Sequence, residues 1–245
     1  MLRNSKKYAK IFLIGSTSEI GLGILKALPI SGEAHLTLVG RVFSNYLIED
    51  SRLRKIEFHY CDLESFDSLN LLIEKIGTLG EIDLAIIAAG YLPNENLEDN
   101  QHEVRKAMTV NALAVPIVVS SLASHMSKQK SGEILLLSSV AAIRPRLQNF
   151  TYGASKMSAD FFALGYSFKN RNKKPHISIL RAGFVYTKMT SEFKPALFAT
   201  TVERVAADAV RGLGRRKRII YSPSILKFVM GVARFIPRTL FDRLG

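Results

Sequence analysis

Two stretches of this 245-residue chain carry residue types and spacings that can do chemistry. The first is Gly15-Ser16-Thr17-Ser18-Glu19-Ile20-Gly21-Leu22-Gly23, entered from the apolar run 11–14 and followed by a helical pattern through Ile24, Leu25 and Leu28. Strand, glycine turn and helix in that order offer free backbone N–H groups at a helix start to a pyrophosphate. Gly15 permits the tight turn, and the hydroxyls of Ser16, Thr17 and Ser18 can cap the helix. The same glycines would also serve plain helix–strand packing. The second stretch is Ser138-Ser139, at the end of the apolar run 134–137, followed by Tyr152-Gly153-Ala154-Ser155-Lys156. A tyrosine and a lysine four apart on a helix share one face. A further clue lies at the end of the second apolar run, where Leu38-Val39 passes into Gly40-Arg41. Sites for NAD place an acid there against the ribose 2′-hydroxyl, and this chain has none. Arg41, with Ser16, can instead pair with a 2′-phosphate through charge-assisted hydrogen bonds, so NADPH is the expected dinucleotide; a solvated surface arginine is the alternative.

The elements that must position these groups are legible as alternating patterns. Apolar, β-branched runs at 11–14, 36–39, 56–60, 84–88, 134–137, 177–180 and 219–221 read as strands. Helical periodicity is clearest at 69–76, 104–126, 152–168 and 202–213, while 43–54 is ambiguous. Near-continuous hydrophobic strands separated by helix-length segments predict an α/β, doubly wound Rossmann fold with a seven-stranded, mostly parallel sheet. One domain is expected over 1–245, with a core at 8–221 and an apolar, basic appendage at 222–245.

Composition narrows the class. A hydrophobic share of 47% supports a large core, and the single Cys61 excludes an intrachain disulfide or a multi-thiolate metal site. His35, His59, His102, His125 and His176 show no paired ligand spacing, so no metal is expected. The net charge of +13 is concentrated at the C-terminal end: from Arg211 onward, nine basic residues face the single acid Asp242. No unbroken apolar run reaches the roughly 18 residues of a spanning helix, and no signal-peptide pattern follows the basic N-terminus, so a cytoplasmic protein is expected. Ile225, Leu226, Phe228, Val229, Val232, Phe235 and Ile236 form a wide apolar face, with Lys227, Arg234 and Arg238 able to reach anionic headgroups. That pattern suits peripheral attachment to the inner membrane face, or packing on the core or on a second copy.

Taken in order, the glycine turn, Cys61-Asp62-Leu63, Ala88-Ala89-Gly90, Asn111, Ser139, Tyr152-x3-Lys156 and Arg181-Ala182-Gly183-Phe184-Val185-Tyr186-Thr187 resemble the short-chain dehydrogenase/reductase family over about residues 8–221. The resemblance implies catalysis by Asn111, Ser139, Tyr152 and Lys156. It places Asp62 and Leu63 by the adenine, lets the dinucleotide pass close to Ala88-Ala89-Gly90, and puts Gly183, Val185 and Thr187 by the nicotinamide and phosphates. Tyr152 would protonate the carbonyl oxygen as hydride arrives. Its reference pKa near 10 would have to fall by roughly 3 units, a differential of about 4 kcal/mol. An ammonium at about 4 Å and an effective dielectric near 20 supplies that order of energy. Two departures from the family pattern stand out. Glu19 replaces the middle glycine of the turn, so it must point outward or cap the turn. Ala182 replaces the usual proline, loosening that loop.

Residues 15–22, 149–156 and 222–244 further resemble the branch of the family that reduces decaprenylphosphoryl 2-keto-erythro-pentofuranose, including the Glu in the turn and the Ile236-Pro237-Arg238 element. That resemblance implies NADPH-dependent reduction of the C2 ketone of a polyprenyl-phosphate-linked pentose, in sequence with a partner flavin oxidase that makes the ketone. Arg144 or Arg146, beside the expected active site, would receive the lipid phosphate, and Met189, Phe193, Leu197 and Phe198 supply an apolar substrate rim. Two alternatives stay open. One is a reductase of another hydrophobic ketone or acyl substrate. The other is a binding protein that keeps the cofactor pocket as a redox sensor, on the strength of Arg215-Arg216-Lys217-Arg218. No aromatics are interleaved with that run, so no nucleic acid is expected. The resemblance also implies association of copies through the long helices.

Overall fold

The computed structural model describes residues 7–43, 50–94, 100–144, 146, 149–170, 173–233 and 235–236. Arg234, Arg238 and everything beyond Ile236 lie outside the described residues, as do 44–49 of the ambiguous segment and the first six residues.

Seven strands form one parallel sheet in the order β3-β2-β1-β4-β5-β6-β7, the expected doubly wound arrangement. They are β1 (Tyr8–Ile14), β2 (Ile30–Gly40), β3 (Leu53–Tyr60), β4 (Leu84–Ile87), β5 (Glu133–Ser139), β6 (His176–Ala182) and β7 (Ile219–Ser222). Alternate residues of each central strand point to opposite faces, and both faces are apolar. Phe12, Ile14, Ala85, Ile87, Ile134 and Leu136 pack against α2 (Phe66–Thr78), α4 (Val115–Met126) and α5 (Phe150–Lys169). Ile11, Leu13, Leu84, Ile86, Leu135 and Leu137 pack against α1 (Glu19–Ala27) and α6 (Val202–Gly214). Both faces being covered is why the strands read as continuous apolar runs rather than alternating ones. Polar side chains at the N-cap positions start the helices: Ser18 for α1, Ser65 for α2, Asn100 for α3 (Gln101–Ala107) and Thr201 for α6.

Strand order reverses between β1 and β4, so the connections leaving those strands diverge and open a crevice beyond their carboxyl ends. The long pattern at 104–126 is not one regular helix. Between α3 and α4, residues Met108–Ala114 form a π-helical segment that carries Asn111. By length and composition, Gln101–Met126 is apolar enough to cross a bilayer, yet 56% of its most apolar window is buried inside the domain, which makes it a core helix.

The basic tail is only partly free. Helix α7 (Leu226–Ala233) buries Leu226, Met230 and Ala233 against Val140, with Ile143 and Tyr221 alongside. Its other side leaves Phe228 and Val232 exposed, and the flanking Ile225 and Phe235 are exposed as well. The wide apolar face is therefore divided between the core and the outside.

Candidate active site

The crevice at the β1/β4 reversal is a cavity of about 410 Å³ lined by residues 14–20, 40–42, 61–64, 88–91, 106, 110 and 187–189. Its floor is backbone. Gly15 has φ of 102°, and a Cβ there would lie 2.7 Å from the Ala89 nitrogen. A Cβ on Gly21 would come within 2.7 Å of the Ala88 Cβ, so α1 packs tightly over the end of β4. Ser18 accepts the Gly21 N–H at 3.2 Å and starts α1 with its N-terminus toward the cavity wall. These glycine cradles, together with a helix start, fit a dinucleotide pyrophosphate.

At the β2 end, a Cβ on Gly40 would overlap the Ser16 hydroxyl and sit 2.9 Å from the Ser16 Cβ. The Ser16 hydroxyl donates to the Val42 carbonyl at 2.6 Å. Its proton is committed to holding the loop, so of the two residues expected at a 2′-phosphate only Arg41, exposed at the cavity edge, has free donors to offer. Asp62 and Leu63 line the same cavity, where one Asp62 oxygen accepts the Glu64 N–H at 3.0 Å. Cys61 is buried at the end of β3, and burial pushes its thiol up.

A second cavity of about 220 Å³ adjoins the first, sharing Ser18, Ile20, Ala88, Gly90, Tyr91, Thr187 and Met189 with it. Ser139, Tyr152, Lys156, Gly183, Val185, Phe193 and Arg146 line this second space. Strand β5 delivers Ser139, and one face of α5 delivers Tyr152 and Lys156. Lys156 donates to the Leu137 carbonyl at 2.9 Å, and a Cβ on Gly90 would stand 3.2 Å from its ammonium. The ammonium therefore sits where the two cavities join.

The expected lowering of the Tyr152 phenol is reversed. Burial pushes it up to about 12, and a hydrogen bond with Ser139 only partly opposes this. Lys156, whose hydrogen-bond acceptor is the Leu137 carbonyl, is itself brought down to about 8 by burial, with Asp160 pulling it back up. A phenol near 12 stays protonated at neutral pH, which is the form a proton donor requires.

Asn111 lies behind the junction. Its Nδ2 donates to the Tyr91 carbonyl at 2.7 Å and to Ser155 Oγ at 2.9 Å, and its Oδ1 accepts the Tyr91 N–H at 2.8 Å. It lines neither cavity; it fixes the turn after Gly90. Arg144 also stays outside, where its guanidinium donates to the carbonyls of Ala233 and Ile236 at the end of α7. Of the two arginines, Arg146 is the one at the cavity, and among the described residues no side chain pairs with it. Burial alone depresses its pKa. Glu19 points across the cavity mouth, where its carboxylate accepts the Lys188 N–H at 2.6 Å. The loop lacking a proline at Ala182 is braced from outside: a Cβ on Gly183 would strike Leu226 at 2.6 Å.

Two residues at the site lie outside the sequence motifs, Tyr91 and Asp160. Tyr91 walls both cavities and follows the Ala88-Ala89-Gly90 turn directly. Asp160 stands one helical turn beyond Lys156, a spacing that was available as a signal. It accepts from Ser138 Oγ at 2.7 Å and from Arg181 at 2.6 and 3.0 Å, locking α5 to the ends of β5 and β6.

Comparison with known proteins agrees with this geometry. The family model described as short chain dehydrogenase matches residues 9–197. An uncharacterized oxidoreductase of Mycobacterium tuberculosis is 28% identical over 244 residues, covering 96% of this chain and 97% of that protein. A fatty acyl-CoA reductase of Acinetobacter baylyi is 25% identical over 221 residues, covering 86% and 74%. Among solved structures, a short-chain dehydrogenase from Sphingobium yanoikuyae in complex with NADPH superposes with a TM-score of 0.77 at 17% identity, covering 94% and 97%. A bulky-bulky ketone specific alcohol dehydrogenase from Comamonas testosteroni gives 0.74 at 18%, covering 95% and 96%. With its glycine-floored crevice, its Ser139, Tyr152 and Lys156 at one junction and a family match over most of its length, the chain belongs to the short-chain dehydrogenase family.

Proposed function

We propose that the protein is an NADP(H)-dependent reductase that converts a ketone to an alcohol. The observation that carries this reading is the junction itself, where Ser139, Tyr152 and Lys156 meet the dinucleotide cavity at Gly90. When bound, the reduced dinucleotide supplies the hydride. Residues 15–20 and 88–90 would hold its phosphates and backbone, Asp62 its adenine side, and Gly183, Val185 and Thr187 its nicotinamide end. Arg41 and the lack of an acid at the β2 end favour a 2′-phosphate. The folds with NADPH or NADP bound in the relatives from Sphingobium yanoikuyae and Burkholderia cenocepacia agree with that choice.

Ser139 orients the carbonyl oxygen by hydrogen bonding. As negative charge develops there, Tyr152 gives its proton to that oxygen, leaving an alcohol and a phenolate. The Lys156 ammonium stabilises the phenolate and would hold the ribose of the bound dinucleotide, the Asn111 segment keeps the Gly90 turn in place, and a proton from solvent restores the phenol after the alcohol leaves.

The substrate reading is an anionic, apolar ketone, in particular the 2-keto group of a polyprenyl-phosphate-linked pentose. Arg146, partly buried and facing the cavity, suits a phosphate. Met189, Phe193 and the exposed Leu197 suit an isoprenoid chain. The exposed Ile225, Phe228, Val232 and Phe235 of the tail, in a basic segment, suit work at the inner membrane face, beside a flavin oxidase that makes the ketone. The likeness to a fatty acyl-CoA reductase favours a second reading, an acyl substrate in the same apolar space. NADPH consumption with a synthetic polyprenyl-phosphoryl 2-keto-pentose, set against long-chain acyl substrates, tests the choice. Preference for the keto-pentose supports the first reading, and turnover of acyl substrates alone replaces it with the second.

A further inference from the structure

Glu19 is the first residue of α1, and Lys188 is the first residue of the short helical turn Lys188–Thr190 after β6. Their hydrogen bond, carboxylate oxygen to backbone N–H at 2.6 Å, joins positions 169 apart in the chain. Both residues line the dinucleotide cavity, on walls that come from opposite ends of the family-matched region. The 187–190 turn is braced within itself. Thr190 Oγ1 donates to the Val185 carbonyl at 2.6 Å and accepts the Thr187 N–H at 3.1 Å. Glu19 therefore grips a preformed element. A carboxylate beside a phosphate site is unfavourable unless its charge is turned to another donor, and here it is.

Resting on the NADP(H) reading, we propose that Glu19 is a positioning residue that clasps the 187–190 turn across the cavity mouth, so that dinucleotide release requires the Glu19–Lys188 bond to break. A glycine at this position would leave the mouth unfastened. A hydrogen bond to a charged group corresponds to about a 10- to 100-fold effect on such a release.

Both partners can be removed separately. Glu19→Ala deletes the acceptor. Lys188→Pro deletes the donor N–H, and the backbone suits it: position 188 opens a helical turn, and Thr187, at φ −147° and ψ 169°, has the extended conformation required before proline. Glu19→Gln keeps a neutral acceptor. Stopped-flow displacement of NADPH, read by the fluorescence of the bound dinucleotide, gives the dissociation rate without turnover, and thermal melting confirms that each variant is folded. The expected result is release about 10- to 100-fold faster in Glu19→Ala and in Lys188→Pro, a smaller increase in Glu19→Gln, and a double variant no faster than either single one. Unchanged or slower release in the single variants, or effects that multiply in the double variant, would overturn the clasp while leaving NADPH binding intact. Failure of the wild-type protein to bind NADPH would overturn the cofactor reading and the clasp with it.

Discussion

Around the dinucleotide cavity the walls are mostly backbone: Gly15 and Gly40 at two strand ends, the Ala88–Gly90 turn, and the start of α1. Around the adjoining cavity, regular elements supply Ser139, Tyr152 and Lys156, while Arg146, Phe193 and Met189 stand on the connections between strands and longer helices. The first surface recognises a dinucleotide through shape and N–H groups, and tolerates almost no added atoms. The second offers a cation at Arg146 and apolar area at Phe193 and Met189, all on segments outside the sheet. The family motifs reach into both regions, whereas the proposed substrate contacts Arg146, Phe193 and Met189 lie in the second.

The sharpest way to separate the two regions is a single methyl group. Gly40→Ala places a Cβ against Ser16, so the glycine turn must shift. Loss of about 10- to 100-fold or more in NADPH affinity, with roughly 1–3 kcal/mol of stability, is expected by fluorescence titration and denaturant unfolding. Arg146→Gln acts on the other side of the junction. It should raise KM for a phosphate-linked ketone by about 10- to 100-fold, as loss of a charge-assisted bond does, while leaving NADPH affinity and turnover of an uncharged ketone unchanged.

Smaller effects follow from the ionisation of the junction. With Lys156 near 8, its positive charge is lost above that pH, so kcat/KM for reduction should decline above about pH 8 while Tyr152, near 12, remains protonated. Stability moves the other way. Below about pH 8 the folded protein bears the cost of a buried ammonium. From pH 8 to 10 the unfolded chain binds more protons at this lysine than the folded one, so its contribution to stability rises, by at most about 1.4 kcal/mol per pH unit. The difference in unfolding free energy between wild type and Lys156→Met, followed across that range, should show the rise. The smallest expected effect comes from residues that line neither cavity. Leu113, Met157, Phe161 and Phe162 are exposed on the π-helical segment and α5, and if copies pair through these helices, as the family resemblance implies, Phe161→Glu weakens that pairing in light scattering with no change in NADPH affinity.

Which parts of this arrangement can be read from sequence follows from the same division. The central strands announce themselves because both sheet faces are buried there, while the edge strand β3, which has no buried residue, shows only as the run 56–60. Strand β2 nevertheless begins at Ile30, six residues before its apolar run, since Gly32 and Glu33 lie at the exposed, irregular end of its pairing with β1. The glycine turn and the Tyr152–Lys156 spacing are local patterns, and they arrive together at one junction. Contacts between distant segments leave no local trace. The Arg144 guanidinium at the end of α7, the Glu19–Lys188 bond and the division of the α7 face depend on how connections pack after the sheet has formed. The direction of the Tyr152 shift was missed for a related reason. Proximity to a lysine is visible in a sequence, whereas the desolvation of both groups and the lysine's attachment to Leu137 are not.

The most direct measurement is NADPH oxidation with a ketone substrate by wild type and Tyr152→Phe, with NADPH binding titrated in both. A fall in kcat of about 10²- to 10⁴-fold with unchanged NADPH affinity is the predicted result. Turnover within a few-fold of wild type, or loss of NADPH binding in step with activity, would contradict the assignment of proton delivery to Tyr152.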